Sequence, residues 1–351
     1  MMSSNISCSS MSLNLRAGEC VEIRSQDEIL ATLDERGCLD NLPFMPEMLE
    51  YCGKRFMVYK RADKTCDTIT GKYYSRRMLN AVHLVDLRCD GEAHGGCDTT
   101  CLLFWKEAWL RRIKDDEVCG TPAGSAKEDT GNNRCSFEDL IKTTRVTTND
   151  AVLEEEIYSC QATELLKATS PLSAWDFRQY WRELRSGNFD LIEMGRFLSI
   201  GLLNWVVSKR GFGRLFYLIT GNRRYPLMNT RLMVNSSTPN ATLNLQPGEI
   251  IQVKNIEEIL KTLKEWQNRG LSFDQSGEML KYCGKNLKVL KRVRKVIDEK
   301  TGRLLTLKNE SVILEGAICC GHYSPNRLLC PRSLYPFWRE IWLQRVDTGG
   351  K

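Results

Sequence analysis

An internal duplication constrains this chain more than any other feature. Residues 13–113 and 243–346 align end to end in an almost constant register. The match begins with LNL in both copies, passes through YCGK, and ends with FWKEAWL at Phe104 against FWREIWL at Phe337. A match of this length is not chance. Each copy is long enough to bury a core of its own, so we expect two similar modules.

Each copy opens with a turn and an alternating stretch, 20–24 or 250–254, which predicts a half-buried strand. Ser25 and Glu28 then have capping-box spacing, which predicts a short helix. A further helix is expected near 46–51. Three more segments alternate as strands do, at 55–61, 81–87 and 102–113.

The opening pattern of each copy resembles that of small SH3-like barrels. Gly18 and Glu19 precede Val21 and Ile23, and Gly-Glu at 248–249 precedes the same kind of alternation. The resemblance covers the first strand and the general layout of five short strands. It implies compact barrel modules, and it also implies an aromatic peptide-binding groove as one use for them. Trp105 with Trp109, and Trp338 with Trp342, lie four apart and are expected to pack in the cores.

The segment between the copies differs in composition, and the predicted fold class is α+β. Helices are predicted at 137–142, 154–168, 174–184 and 190–208. The aromatic residues near Trp175 are expected to pack between this helical segment and the modules. The predicted organisation is an N-terminal tail 1–12, module 13–113, linker 114–134, helical domain 135–221, linker 222–242, module 243–346 and tail 347–351.

Composition indicates a folded protein of the cytoplasm. Of the 351 residues, 42% are hydrophobic and 27% charged, close to globular averages. The first residues lack a basic n-region and an apolar h-region, so export is not expected. The longest apolar run, 197–207, is about half a membrane span. In a reducing compartment, fifteen cysteines favour metal ligands or reactive thiols over disulfides.

The densest chemical signal lies at the end of the first copy. Cys89, His94, Cys97 and Cys101 fall within one short stretch whose glycines let the backbone fold around a small centre. Tetrahedral zinc takes cysteine and histidine ligands at such spacings. This stretch therefore predicts a zinc site.

The second copy serves as an internal control. It carries Cys319, Cys320, His322 and Cys330, and Cys283 matches Cys52 in the YCGK motif. We therefore predict a shared ligand set of three cysteines and one histidine in each copy. The two sets are Cys52, Cys89, His94, Cys97 and Cys283, Cys319 or Cys320, His322, Cys330.

Near the shared ligand set, the first copy adds two cysteines that the second copy lacks. Cys66 and Cys101 stand where the second copy has Ile297 and Leu334. They could serve a second metal, an iron–sulfur cluster or a redox-active thiol, or they could be small buried side chains. Zinc is favoured over iron–sulfur in either copy.

The other functional signals are weaker. The net charge of +6 does not by itself indicate nucleic acid. Lys288, Arg292 and Arg294 could line one face of a strand and contact phosphates, although a solvated face is the favoured reading. No glycine-rich phosphate loop, Ser-His-Asp order or HExxH motif occurs, and three histidines leave little room for histidine acid–base catalysis.

The leading hypothesis is a cytoplasmic zinc-binding protein whose two modules hold a protein or nucleic-acid partner, with no membrane association. The alternative is a metal- or thiol-dependent enzyme. Its reactive centre, zinc or iron–sulfur, would lie in the first module, with a substrate pocket against the helical middle. The sequence assigns no catalytic residue.

Overall fold

The computed structural model describes residues 12–70, 75–113, 135–145, 156–173, 175–208, 238–273, 278–322 and 328–346. The chain divides into two compact units. The first comprises Met1–Gly96, Leu102–Leu191 and Asp298–Leu304, and the second comprises Cys97–Cys101, Ile192–Ile297 and Leu305–Lys351. Both combine strands with short helices, and the sheets dominate the N-terminal and C-terminal regions, as an α+β fold requires.

The described residues of the first unit form ten short strands and three helices. The strands are β1 (Cys20–Ile23), β2 (Cys38–Leu39), β3 (Leu42–Pro43), β4 (Arg55–Arg61), β5 (Lys64–Thr65), β6 (Ser75–Arg77), β7 (Ala81–Leu84), β8 (Trp105–Lys106), β9 (Leu110–Arg112) and β10 (Ser170–Leu172). The helices are α1 (Gln26–Leu30), α2 (Phe137–Thr143) and α3 (Arg178–Arg185). Three 3-10 turns span Pro46–Tyr51, Glu92–His94 and Glu107–Trp109.

The main sheet of the first unit has five strands in the order β8-β7-β4-β1-β9. Its neighbouring strands are antiparallel, and a bulge interrupts β4 between Val58 and Lys60. The 3-10 turn Glu107–Trp109 joins the two edge strands, β8 and β9, which do not pair with each other. The sheet is therefore open, and a closed SH3-like barrel is not confirmed. Smaller sheets pair β10-β6-β5 and β2-β3.

Aromatic side chains form the centre of the first core. Trp105 and Trp109 are fully buried, and Phe44 meets both edge to face at 6.2 and 5.1 Å between ring centroids. The indole N–H of Trp109 donates to Thr32 Oγ1 at 3.1 Å, which satisfies its only polar group. The expectation that these tryptophans pack in the core is confirmed.

A buried glutamate fastens the start of the module to its last turn. Glu107 is 1% exposed and accepts the backbone N–H groups of Leu13, Asn14 and Leu15 at 2.8 to 3.2 Å. Arg61 Nη1 donates to the same carboxylate at 2.6 Å. The buried charge is thus both paired and hydrogen-bonded, which is the condition for keeping it ionised in a core.

In the part of the second unit that the structure describes there are nine strands and two helices. The strands are β11 (Ile250–Val253), β12 (Gln267–Asn268), β13 (Leu271–Ser272), β14 (Asn286–Arg292), β15 (Lys295–Ile297), β16 (Leu304–Thr306), β17 (Ser311–Leu314), β18 (Trp338–Arg339) and β19 (Leu343–Arg345). The helices are α4 (Leu191–Ser208) and α5 (Ile256–Leu260), and 3-10 turns span Leu280–Tyr282 and Glu340–Trp342.

The main sheet of the second unit has the order β18-β17-β14-β11-β19 and is also open. Phe273 meets Trp338 and Trp342 edge to face at 6.2 and 5.3 Å. Glu340 is fully buried and accepts the N–H groups of Asn244 and Leu245 at 2.9 and 3.0 Å. Smaller sheets pair β12-β13 and β15-β16.

Some of the predicted helices and strands are confirmed, and one predicted helix is wrong. The strand at 55–61 and the helices at 137–142 and 190–208 are confirmed within a residue or two. The helix predicted at 154–168 is wrong over its described part, where residues 156–169 form turns and bridges. There the N–H of Tyr158 donates to Gly302 O at 2.8 Å instead of continuing a helix.

Two predicted strands are shorter than expected. The strand predicted at 81–87 ends at Leu84, and the one at 102–113 is split by the 3-10 turn that contains Glu107. No helix of the described residues is long and apolar enough to cross a bilayer.

Candidate metal centre

Three side chains of the first unit bring different donor atoms together. Glu47 lies in the 3-10 turn Pro46–Tyr51, Cys89 follows β7, and His94 ends the 3-10 turn Glu92–His94. Gly91 and Gly95 lie on either side of that last turn. Their φ angles are 86° and 65°, values that residues other than glycine rarely adopt. These glycines turn the chain back so that His94 faces Cys89.

The donor atoms lie at the separations of a coordination sphere. Cys89 Sγ is 3.8 Å from His94 Nδ1, and His94 Nδ1 is 3.9 Å from Glu47 Oε1. All three donors lie within 4.8 Å of one another. Ligands about 2.0 to 2.3 Å from a tetrahedral zinc ion would be roughly 3.3 to 3.8 Å apart. Small side-chain movements would therefore close the group around one ion.

Two side chains of the group, Glu47 and His94, are buried, and three of their polar atoms have no partner at hydrogen-bonding geometry. The side chains of Glu47 and His94 are 6% and 1% exposed. Both Glu47 oxygens and His94 Nε2 are buried without a hydrogen-bond partner. An unpartnered buried carboxylate is costly, because burial removes its hydration and nothing replaces it.

Burial sets the protonation of the group. It raises the pKa of the Glu47 carboxyl, and it lowers the pKa of His94 to about 4. A neutral imidazole offers the lone pair that a metal needs. The described residues thus include a Glu-Cys-His group that could hold a metal ion, and the chemistry of its donors is compatible with zinc.

The other predicted ligands of the first copy lie outside this group. Cys52 packs against the apolar core, and burial raises the pKa of its thiol to about 11. Cys66 is also buried, whereas Cys101 is half-buried. Cys97 and Cys101 belong to the second unit. The ligand roles of these four cysteines stay predictions.

In the second unit a related set of residues is arranged differently. Glu278 stands at the position of Glu47 in the repeat and is 2% exposed. Its Oε2 accepts the backbone N–H of Cys320 at 2.9 Å and the Cys320 thiol at 3.0 Å. Its Oε1 accepts the N–H of His322 at 2.9 Å. Hydrogen bonds therefore satisfy this carboxylate.

The remaining second-copy cysteines and histidine do not complete a comparable group. The ring of His322 stacks on Phe197 at 3.6 Å between centroids. Burial raises the pKa of the Cys283 thiol to about 12. Cys319 and Cys330 are buried. Among the described residues, no other three such donors lie within 4.8 Å of one another, so metal binding by this copy stays a prediction.

Sequence reasoning missed the glutamates. Glu47 and Glu278 stand directly before the Met-Leu pairs of the two copies, close to YCGK. Their recurrence in both copies is the signal that could have found them. The spacing of cysteines and histidines gives no indication of a carboxylate ligand, although zinc accepts one.

The predicted basic face of the second copy is mostly engaged in other contacts. Arg292 is largely buried, and its guanidinium donates to Leu245 O at 2.8 Å and pairs with Glu310. Lys288 forms an exposed pair with Glu315 at 3.3 Å. Arg294 is exposed. This geometry leaves Lys288 and Arg294 as the accessible cations of the three.

The described cysteines are mostly reduced. Twelve of them are outside disulfides, and Cys20 is disulfide-bonded.

Comparison with known proteins found no match for this chain among protein-family models, curated proteins or solved structures.

Proposed function

We propose that this protein binds a zinc ion in its first unit through Glu47, Cys89 and His94. The convergence of these three donors, two of them on buried side chains, with neither carboxylate oxygen at hydrogen-bonding geometry to a partner, carries the proposal. A bound cation would neutralise the carboxylate and supply the partner that it lacks.

The donor set favours zinc over an iron–sulfur cluster. Clusters are held mainly by several cysteine thiolates, whereas this group supplies one sulfur, one nitrogen and one oxygen. Zinc accepts all three donor types. A colourless protein is therefore expected.

We further propose that residues 13–113 and 243–346 are two copies of one SH3-like module that binds a protein or nucleic-acid partner. The equal strand order of the two main sheets and the 3-10 turn before each last strand support this. Zinc would fix the loop after β7 within the first module. The many reduced cysteines support a cytoplasmic location.

A second candidate is a zinc enzyme. Three protein ligands leave one tetrahedral position for water or substrate, as in catalytic zinc sites. Bound zinc would lower the pKa of such a water. The deep burial of Glu47 and His94 limits access to it, and therefore we place this candidate second.

Elemental analysis of the full chain, purified without added metal, tests the proposal. We expect about one zinc per chain in the wild type and in Cys52→Ser, and less than about a tenth in Cys89→Ser. Cobalt(II) exchange should give a thiolate charge-transfer band that Cys89→Ser lacks. Loss of zinc in Cys52→Ser as well as in Cys89→Ser would favour the cysteine set predicted from sequence instead.

A further inference from the structure

Helix α3 has its polar face buried and its aromatic face in water. Gln179 and Glu183, four residues apart, are each 2% exposed. Trp181 and Phe177, also four apart, are 67% and 70% exposed, and Trp175 just before the helix is 77% exposed. Surface helices ordinarily place their apolar stripe against the core. The expected packing of this aromatic segment is therefore wrong.

Hydrogen bonds hold the buried polar face in place. Gln179 Nε2 donates to Ser173 O at 2.9 Å and to Asp176 O at 3.1 Å. Glu183 Oε2 accepts from Asn188 Nδ2 at 2.7 Å, and Asn188 donates again to Arg61 O at 2.9 Å. The orientation of the helix is thus specified, and the aromatic side chains are directed outward by the fold.

Three large rings in water are costly unless a partner covers them. Burial removes apolar surface from water and stabilises a fold or a complex, and this face forgoes that contribution in the unbound chain. Contiguous exposed apolar groups of this kind mark interaction sites. Phe177 and Trp181 are neighbours on the helix surface, so they present one continuous aromatic strip.

The strip is flanked by positive charge. Arg178 and Arg185 are exposed within the helix, and Arg16 is held beside its end by a bond from its Nε to Arg185 O at 3.0 Å. Asp176 is the carboxylate that pairs here, with Arg178 at 3.1 Å and with Arg182 at 3.9 Å. Two of the four guanidinium groups pair with Asp176, so positive charge is in excess in and beside the helix and the surface is complementary to an anionic partner.

We propose that this surface, formed by Trp175, Phe177, Trp181 and the arginines around them, binds single-stranded nucleic acid. Aromatic rings stack on bases regardless of sequence, and guanidinium groups neutralise the phosphates between them. An acidic peptide would use the charge but not the three rings. The aromatic rings of this surface lie outside the duplicated residues 13–113 and 243–346, so this proposal goes beyond the proposed function.

Fluorescence anisotropy with a fluorescein-labelled 20-nucleotide oligouridylate, added to the full wild-type chain, tests the proposal. We expect Trp181→Ala and Phe177→Ala each to weaken binding about tenfold, as loss of one stacked base does. Arg178→Ala should weaken binding and reduce the slope of log affinity against log salt by about one. All three residues are exposed, so the variants should keep the fold, which circular dichroism checks.

Two matched variants serve as controls. Leu79→Ala removes another exposed apolar side chain of the same unit, and Arg145→Ala removes another exposed guanidinium. Both should bind the oligonucleotide as the wild type does. Equal binding by wild type, Trp181→Ala and Arg178→Ala, or no binding at low salt, would overturn the proposal.

Three further measurements test whether a different partner binds this surface. Trp181-dependent binding to polyglutamate or to anionic vesicles in place of the oligonucleotide would also overturn it, as would a Trp181-dependent dimer in light scattering. Zinc content measured on the same samples keeps the outcomes distinct. Loss of oligonucleotide binding with about one zinc per chain leaves the metal proposal standing.

Discussion

The carboxylate of Glu278 accepts two backbone N–H groups and the Cys320 thiol. The oxygens of Glu47 have no partner at hydrogen-bonding geometry, and the nearby Cys89 thiol only partly offsets the burial that raises the Glu47 pKa. The same residue type at the same position of the repeat therefore has two environments. One is satisfied by the chain itself, and the other is open to a cation. This difference between two side chains gives the two copies different expected metal affinities.

Gly95 tests the local geometry of the centre. A Cβ atom there would lie 2.6 Å from Tyr158 Oη and 2.7 Å from Leu304 Cδ2, at a φ of +65°. Gly96 has a similar φ of +79° but nothing within 4 Å, so it is the matched control. We expect Gly96→Ala to cost about 1 kcal/mol of backbone strain and Gly95→Ala about 3 kcal/mol or more.

Urea unfolding and zinc content of both variants provide the measurement. The clash at residue 95 should displace His94, so Gly95→Ala should also lose zinc while Gly96→Ala keeps it. Equal zinc content and equal free energies of unfolding in the two variants would contradict this account of the turn.

Glu183 gives a pH dependence whose sign follows from its burial. Burial raises its pKa from 4.5 to about 7 despite the hydrogen bond from Asn188 and the nearby Lys64. The folded state therefore holds the proton more tightly than the unfolded state does. Its contribution to stability is fully present below pH 4.5, the unfolded value, and is lost as the pH rises to about 7.

The free energy of unfolding, measured from about pH 5 to 8, checks this prediction. Relative to Glu183→Gln, which cannot titrate, the wild type should lose on the order of 1 to 3 kcal/mol across that range. A difference between the two proteins that stays constant with pH, or that grows in favour of the wild type, would show that Glu183 is ionised throughout.

At the scale of elements, the 3-10 turn between the last two strands of each main sheet organises the unit through its glutamate. Glu107 binds the N–H groups of Leu13 to Leu15 and the guanidinium of Arg61, and Glu340 binds the matching segment of the second unit. Replacing this carboxylate by an amide keeps one acceptor oxygen, but it sets an NH2 group against the buried donors on the other side and leaves the buried guanidinium without its negative charge.

We expect Glu107→Gln and Glu340→Gln each to lower the free energy of unfolding by about 2 to 4 kcal/mol. Glu249→Gln is the control, because Glu249 pairs with the exposed Arg345 at the surface and should cost less than about 1 kcal/mol. Chemical denaturation measures all three. If Glu107→Gln lowered the free energy of unfolding no more than Glu249→Gln does, the structural role of Glu107 would be refuted.

Helices and strands could be predicted where the local sequence pattern determines them. They could not be predicted where contacts with distant residues determine them. The capping box of α1 and the alternation of β4 are read from neighbouring residues, and both are confirmed. The segment at 156–169 has helical composition, but Gln161 bonds to Phe104 N and O and Tyr158 bonds to Gly302. These partners are far apart in sequence, so periodicity could not predict them.

The same limit applies to the centre. Cys89 and His94 were predictable because they lie close together in a glycine-rich stretch. Glu47 lies about forty residues earlier, and only the fold brings it to them. Cys52 shares the chain neighbourhood of Glu47, yet it packs against the apolar core.

At the scale of the whole molecule, a metal held by one unit should stabilise the chain by mass action. We expect a metal chelator to lower the thermal unfolding midpoint of the wild type, and restored zinc to raise it again. Cys89→Ser should unfold at one temperature with or without chelator. If the thermal unfolding midpoint of the wild type did not change with chelator, the proposal that the folded protein binds a metal would be contradicted.

The most direct test of the metal centre is the zinc content of Glu47→Gln beside that of Glu278→Gln. The substitutions are chemically identical and fall at matching positions of the two copies. We predict about one zinc per chain in the wild type and in Glu278→Gln, and a large loss in Glu47→Gln. Retention of zinc by Glu47→Gln, its loss in Glu278→Gln, or its absence from the wild type would contradict the account.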